Sequence, residues 1–249
     1  MLKTFLQFIN ESEDSNEKFI NDLSMDLIKK IRSFTAESKE YHSFPKIKFK
    51  EPYSFDLILN LRKEKRANIS QDKHFNKLDW EQQNYDDFGY SIDANIRTNS
   101  GDLFVPELEI HLILDPTKEP KLYHRLTARL IDILTHETNH STQFSPENRD
   151  PFSANPSTRA NRNSSKRSYK YFLLPDEVES MVEGMYANSK FRKVPLDHVF
   201  SEYLSPLFNA KYLSKKEYDI VMYAWVKFAI ERYPDSLFSS QVDHIINSL

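Results

Sequence analysis

The chain has 249 residues, 34 of them Lys or Arg and 37 Asp or Glu, and the net charge of -3 supplies no global field to steer it to nucleic acid or an anionic membrane. It contains no cysteine, which excludes disulfides, thiolate catalysis and Cys-type zinc sites, so any metal must be held by His and carboxylates. Its three glycines, Gly89, Gly101 and Gly184, are too few and too scattered for a phosphate-binding loop or a dinucleotide turn.

Apolar residues are a low 39%, but 18 Phe and 13 Tyr supply the bulk that a core needs. The apolar stretch within Met1 to Glu11 is too short for a signal peptide or a membrane span, so a cytoplasmic protein without membrane association is expected. From Phe5 to Phe34, apolar residues recur at three- and four-residue spacing, which predicts a helix with one buried face. Ser54 to Arg62 then alternates with period two, giving a half-buried strand with which Ile47 to Phe49 can pair. Lys63 to Asp87 has no clear period and reads as loop, with a turn of helix conceivable at Asp79 to Asn84. Tyr90 to Arg97 and Glu107 to Leu114 alternate again around the turn signal Asn99-Ser100-Gly101, as an antiparallel hairpin does.

A 3.6-residue period returns from about Thr117 to Phe144, with Leu122, Leu126, Leu130, Ile133 and Leu134 on one stripe. Ser145 to Lys170 is rich in Ser, Asn, Pro and Arg and reads as a long exposed loop. Helical pattern then dominates: about Asp176 to Ser189, Leu196 to Leu207, Ser214 to Tyr233 and Val242 to Leu249. The third of these is apolar over most of its circumference, so it is expected at the centre of a C-terminal bundle.

The chemistry lies in His136-Glu137-Thr138-Asn139-His140. Residues four apart share a helix face, so His136 and His140 aim at a common point, while Glu137, one step round, can reach a water at an open metal position and act as general base. The plain alternative is two surface histidines on a polar face. Three protein ligands leave one position for catalysis, and a third must come from elsewhere. Gln143 and Glu147 stand near the places where an extended H-E-x-x-H-x-x-G-x-x-H motif would need its Gly and His, and no Gly is present there, which disfavours that branch. The acidic helix start after Pro175 offers Glu177, Glu179 and Glu183. Glu179 is preferred because the small Ser180 beside it lets two helices approach, with Glu183 as a hydrogen-bond partner for a ligand imidazole and Glu177 expected at solvent.

The segment Tyr171 to Ser180, some thirty residues after H-E-x-x-H, resembles the aromatic-L-x-x-P-x-E-I-E-A stretch of uncharacterised H-E-x-x-H proteins of tailed bacteriophages. The likeness runs from about Leu130 to Lys190, and Ser180 replaces the usual Ala. It implies a gluzincin-like zinc site and a viral or bacterial setting, hence a host cytoplasm. The order of hairpin and active-site helix also fits the zincin plan, in which an edge strand lies along the substrate cleft; Glu107 to Leu114 is the candidate.

Arg159, Arg162, Lys166, Arg167 and Lys170 form a basic cluster in the Ser145 to Lys170 loop, readable as a lid, as a nucleic-acid contact or, preferably, as a solvated loop. Tyr169, Tyr171 and His198 are candidates to stabilise an oxyanion. His42, His74, His124 and His244 have no partner at ligand spacing and are taken as surface residues.

The expectation is therefore an α+β zincin-like unit over residues 1–249: residues 1–144 carry helix, small mainly antiparallel sheet and H-E-x-x-H helix, and 171–249 supply the third ligand. Its expected activity is zinc-dependent hydrolysis of a peptide or protein, with nucleic-acid binding disfavoured. The alternatives are a catalytically silent scaffold that binds a partner or a virion, and a nucleic-acid binder acting through the basic loop.

Overall fold

The computed structural model describes residues 2–48, 56–64, 89–97, 107–118, 121–144, 154, 157–165 and 168–247. They make an α+β chain with one four-stranded mixed sheet, and they divide into two compact units, the first running up to Leu134 and the second from Thr135.

In the first unit, helix α1 (Leu2–Ala36) buries Ile20, Leu23, Leu27, Ile28, Ile31 and Phe34, the face that its periodicity marks. The strands are β1 (Tyr41–Lys48), β2 (Asp56–Lys63), β3 (Tyr90–Arg97) and β4 (Glu107–Leu114), in the order β1-β2-β4-β3. Leu57, Leu59 and Leu61 of β2 and Leu108, Ile110, Leu112 and Leu114 of β4 are buried, as strict alternation requires. β3 and β4 are antiparallel, with Ile92 opposite Leu112. β4 also pairs parallel with β2, Leu57 opposite Leu108, so it is internal.

This corrects the sequence reading, in which Glu107 to Leu114 is an edge strand for substrate. The edges are β1 and β3. β1 carries Pro45, which has no N–H to give to a ladder, and its register against β2 shifts between Phe44 and Ile47. Before β3, Gly89 has φ of 78°, and its carbonyl accepts from the Asp115 N–H at 2.7 Å after β4. A Cβ there would lie 2.8 Å from the Lys118 Cβ, so the closure of these two strand ends needs glycine. The expected hairpin turn at Asn99-Ser100-Gly101 and the conceivable helical turn at Asp79 to Asn84 lie outside the described residues.

Helix α2 (Lys121–Phe144) begins in the first unit, with Leu122, Leu126, Leu130 and Leu134 buried, and carries His136 and His140 in its last turns.

The second unit continues with α3 (Arg159–Ser165), a 3-10 segment (Tyr169–Leu173), α4 (Pro175–Arg192), α5 (Leu196–Asn209), α6 (Lys215–Arg232), a 3-10 turn at Ser240–Val242 and α7 (Asp243–Ile246). α3 lies within the stretch expected as exposed loop, because Thr158 and the segment Arg159–Ser165 sustain helical hydrogen bonds. Pro175 opens α4 at a first-turn position, where its missing N–H costs nothing. Ser214 and Glu217 form a reciprocal capping box at the start of α6.

The core of this unit gathers on Trp225, fully buried, with the Phe200 ring 5.5 Å away and the Phe172 ring 6.1 Å away, both edge-on. The Trp225 Nε1–H donates to the Phe172 carbonyl at 3.0 Å, which ties the 3-10 segment to α6. α6 is less central than its composition suggests. Val221, Met222, Trp225, Val226 and Ala229 are buried, whereas Tyr223 is exposed. Among the described residues no helix is long and apolar enough to cross a membrane.

Candidate metal centre

The end of α2 and the first turn of α4 bring together His136, His140 and Glu177. The two imidazoles stand edge-on with centroids 4.6 Å apart, the geometry that four-residue spacing on a helix gives. Glu177 Oε2 lies 3.6 Å from His140 Nε2 and 4.0 Å from His136 Nε2. The Glu177 side chain is fully buried, and Oε2 makes no hydrogen bond.

A carboxylate oxygen taken out of water without a donor is costly unless a cation faces it. Bonds of about 2.0–2.2 Å to a tetrahedral ion put neighbouring ligand atoms about 3.4 Å apart, so these separations need only a slight contraction to hold a divalent ion. The donor set of two imidazoles and one carboxylate is also one that such ions accept. The residues could hold a divalent metal ion.

The electrostatics agree. Burial opposes protonation of His140, but the facing Glu177 carboxylate outweighs it, and Glu137 and Gln143 add to the effect, so the imidazole titrates above its ordinary value. Burial likewise favours the neutral form of Glu177, yet His140, His136 and Arg162 hold its carboxyl below the usual range. Glu137, its side chain 13% exposed, turns its Oε1 to within 3.9 Å of His136 Nε2 and faces the same space.

Glu179 does not join the pair of imidazoles; Glu177 does. The sequence reading prefers Glu179, and the reason that Glu177 stands beside the imidazoles instead is local. The first turn of α4 is not solvated: Asp176 and Glu177 are both fully buried. α3 and the segment before it cover them, with Arg162 donating to Glu177 Oε1 and to Asp176 Oδ2, and the Ser157 N–H donating to Asp176 at 2.9 Å. Glu179 Oε2 instead accepts from Gln143 Nε2 at 2.7 Å and from the Ala154 N–H at 2.9 Å. Gln143 Oε1 in turn meets His140 Nδ1 at 2.9 Å. Ser180 Oγ stands 3.2 Å from the same nitrogen and accepts from Asn139.

The remaining candidates divide. Tyr171 interacts with the Glu177 carboxylate, and burial together with that negative charge pushes its phenol far above the ordinary value. Tyr169 packs on the core of the second unit. Glu183 is half-buried on α4 and is not part of the cluster. His198 is 58% exposed and pairs with Glu202 at 3.2 Å on α5, a helix-surface residue. Sequence reasoning missed Gln143, Asp176 and Arg162; the only signal was that Gln143 lies three residues after His140 on one helix face. Of the expected surface histidines, His124 and His244 are exposed, His42 packs its ring 4.2 Å from Phe44, and His74 lies outside the described residues.

Comparisons with protein-family models, with curated proteins and with solved structures found no match to this chain.

Proposed function

We propose that the chain is a zinc-dependent peptidase of zincin type, in which His136, His140 and Glu177 hold the ion and Glu137 is the general base. The observation that carries this reading is Glu177 Oε2, buried and without a hydrogen bond between two imidazole nitrogens. When bound, the ion supplies Lewis acidity, polarising a carbonyl and making a water molecule acidic near neutral pH.

Glu137 takes the proton from that water on a carboxylate oxygen and delivers it to the leaving amine, returning to its starting state. Gln143 keeps the His140 ring oriented with Nε2 inward. Glu137, one step round the helix from His136, is not one of the three grouped donors and is left for proton transfer. A peptide or protein is the substrate class.

The test compares wild type with Glu137→Gln. A substrate is first found by incubating the metal-loaded wild type with a peptide library and reading new termini by mass spectrometry. The variant should keep fold and zinc and lose about a hundredfold or more in turnover, the usual worth of a positioned base. Equal rates for two zinc-loaded proteins would exclude Glu137 as the base.

A further inference from the structure

A carboxylate can meet a small divalent ion through one oxygen or through both, and a second oxygen occupies the position that water needs. Glu177 is not free to choose. Its Oε1 accepts from Arg162 Nη1, while Arg162 Nη2 donates to Asp176 Oδ2, so a single planar guanidinium spans two adjacent carboxylates. Asp176 is itself fastened by the N–H and hydroxyl of Ser157, two residues before α3. α3 then holds the Arg162 backbone by its N–H to the Thr158 carbonyl at 3.0 Å. The fork is thus anchored at its base and at both prongs.

We propose that Arg162 is a positioning residue that limits Glu177 to presenting Oε2 alone to a bound divalent cation, which keeps one coordination position open. The inference rests on the metal reading above. The guanidinium also compensates two carboxylates that stand side by side in a buried turn, a task for which its two parallel donors suit it and a lysine's point charge does not.

The experiment compares wild type, Arg162→Lys and Arg162→Met, each checked for fold by circular dichroism and thermal unfolding. Cobalt(II) is the spectroscopic probe and zinc the affinity probe, measured by competition with a chromogenic chelator. Wild type saturated with cobalt should give the intense visible bands of a four-coordinate ion. Arg162→Met should give weaker bands of higher coordination, as Glu177 engages both oxygens, with zinc affinity about 10–100-fold lower. Arg162→Lys should fall between in both readouts.

A purely structural role for Arg162 would lower stability and leave the saturated cobalt spectrum unchanged. A wild-type spectrum from Arg162→Met therefore overturns the proposal, as does undiminished zinc affinity. Should Arg162→Met fail to fold, a wild-type spectrum and affinity from Arg162→Lys overturns it in the same way. If the wild type takes up neither ion, the metal reading falls first and the role of Arg162 with it; if it takes up both and the variants match it, only the role of Arg162 falls.

Discussion

Gln143 Oε1 and His140 Nδ1 are 2.9 Å apart, and the orientation of that carboxamide is set from its other end, where Nε2 donates to Glu179 at 2.7 Å. Gln143 Nε2 also donates to the Asp176 carbonyl, which can only accept, so the amide oxygen faces His140 and Nδ1 carries a proton, which leaves His140 Nε2 as the nitrogen whose lone pair an ion can take. Replacing Gln143 by Leu should weaken zinc binding about 10–100-fold with the helix intact, by release of the ring from its productive tautomer. Chelator competition on the folded variant measures this, and unchanged affinity would refute the relay.

The two neighbouring glutamates of α4 should separate cleanly. Glu177→Gln puts a poor donor at the cluster and should abolish stoichiometric zinc uptake, while Glu179→Gln, one hydrogen bond removed from His140, should retain zinc with an affinity loss of about tenfold. Elemental analysis after gel filtration reads the first, and competition the second. Zinc loss in Glu179→Gln alone would restore the assignment that the sequence favours.

The ion pair between His140 and Glu177 makes the metal-free protein sensitive to pH. The pKa of His140 is raised in the folded state, so its contribution is complete below its ordinary value of 6.5 and is lost as the pH climbs through the raised value. Glu177 is lowered, so its contribution is complete above its ordinary value of 4.5 and is lost as the pH falls through the lowered value. The Tm advantage of metal-free wild type over His140→Gln should accordingly be greatest between these limits and should shrink above pH 6.5. An advantage that is flat across that range would show that the pair is not formed.

Trp225 tests the scaffold. Trp225→Ala should cost about 3–5 kcal/mol by cavity formation, and Trp225→Phe about 1–3 kcal/mol because the Phe172 carbonyl is left without its donor. Denaturant unfolding gives both values. A cost below about 1 kcal/mol for the alanine variant would remove Trp225 from the centre of this core.

Periodicity made most of the elements legible, because α1, β2, β4 and the stripe of α2 each have a buried face whose spacing survives in the chain. The internal place of β4 was not legible. Its alternation is the same whether it has one neighbour or two, and the parallel partner β2 arrives from more than forty residues away. His136, Glu137 and His140 follow from local spacing alone. Glu177 does not, since an acidic residue in a first helical turn ordinarily complements the helix dipole at the surface. What inverts that expectation is tertiary: Arg162, in a stretch whose composition reads as solvated, comes back to cover the turn.

Ala154, Ser157 and Arg162 are fastened to Glu179, Asp176 and Glu177, and all three acceptors sit within four consecutive residues of one helix. Attachments that share so short a base cannot be released one at a time without straining the others. These attachments should therefore open together, with the Ala154 and Ser157 amides exchanging hydrogen through a common event and with one free energy. Each opening would uncover the buried turn of α4 to water, so how often these attachments open would set how long an ion held there as proposed stays.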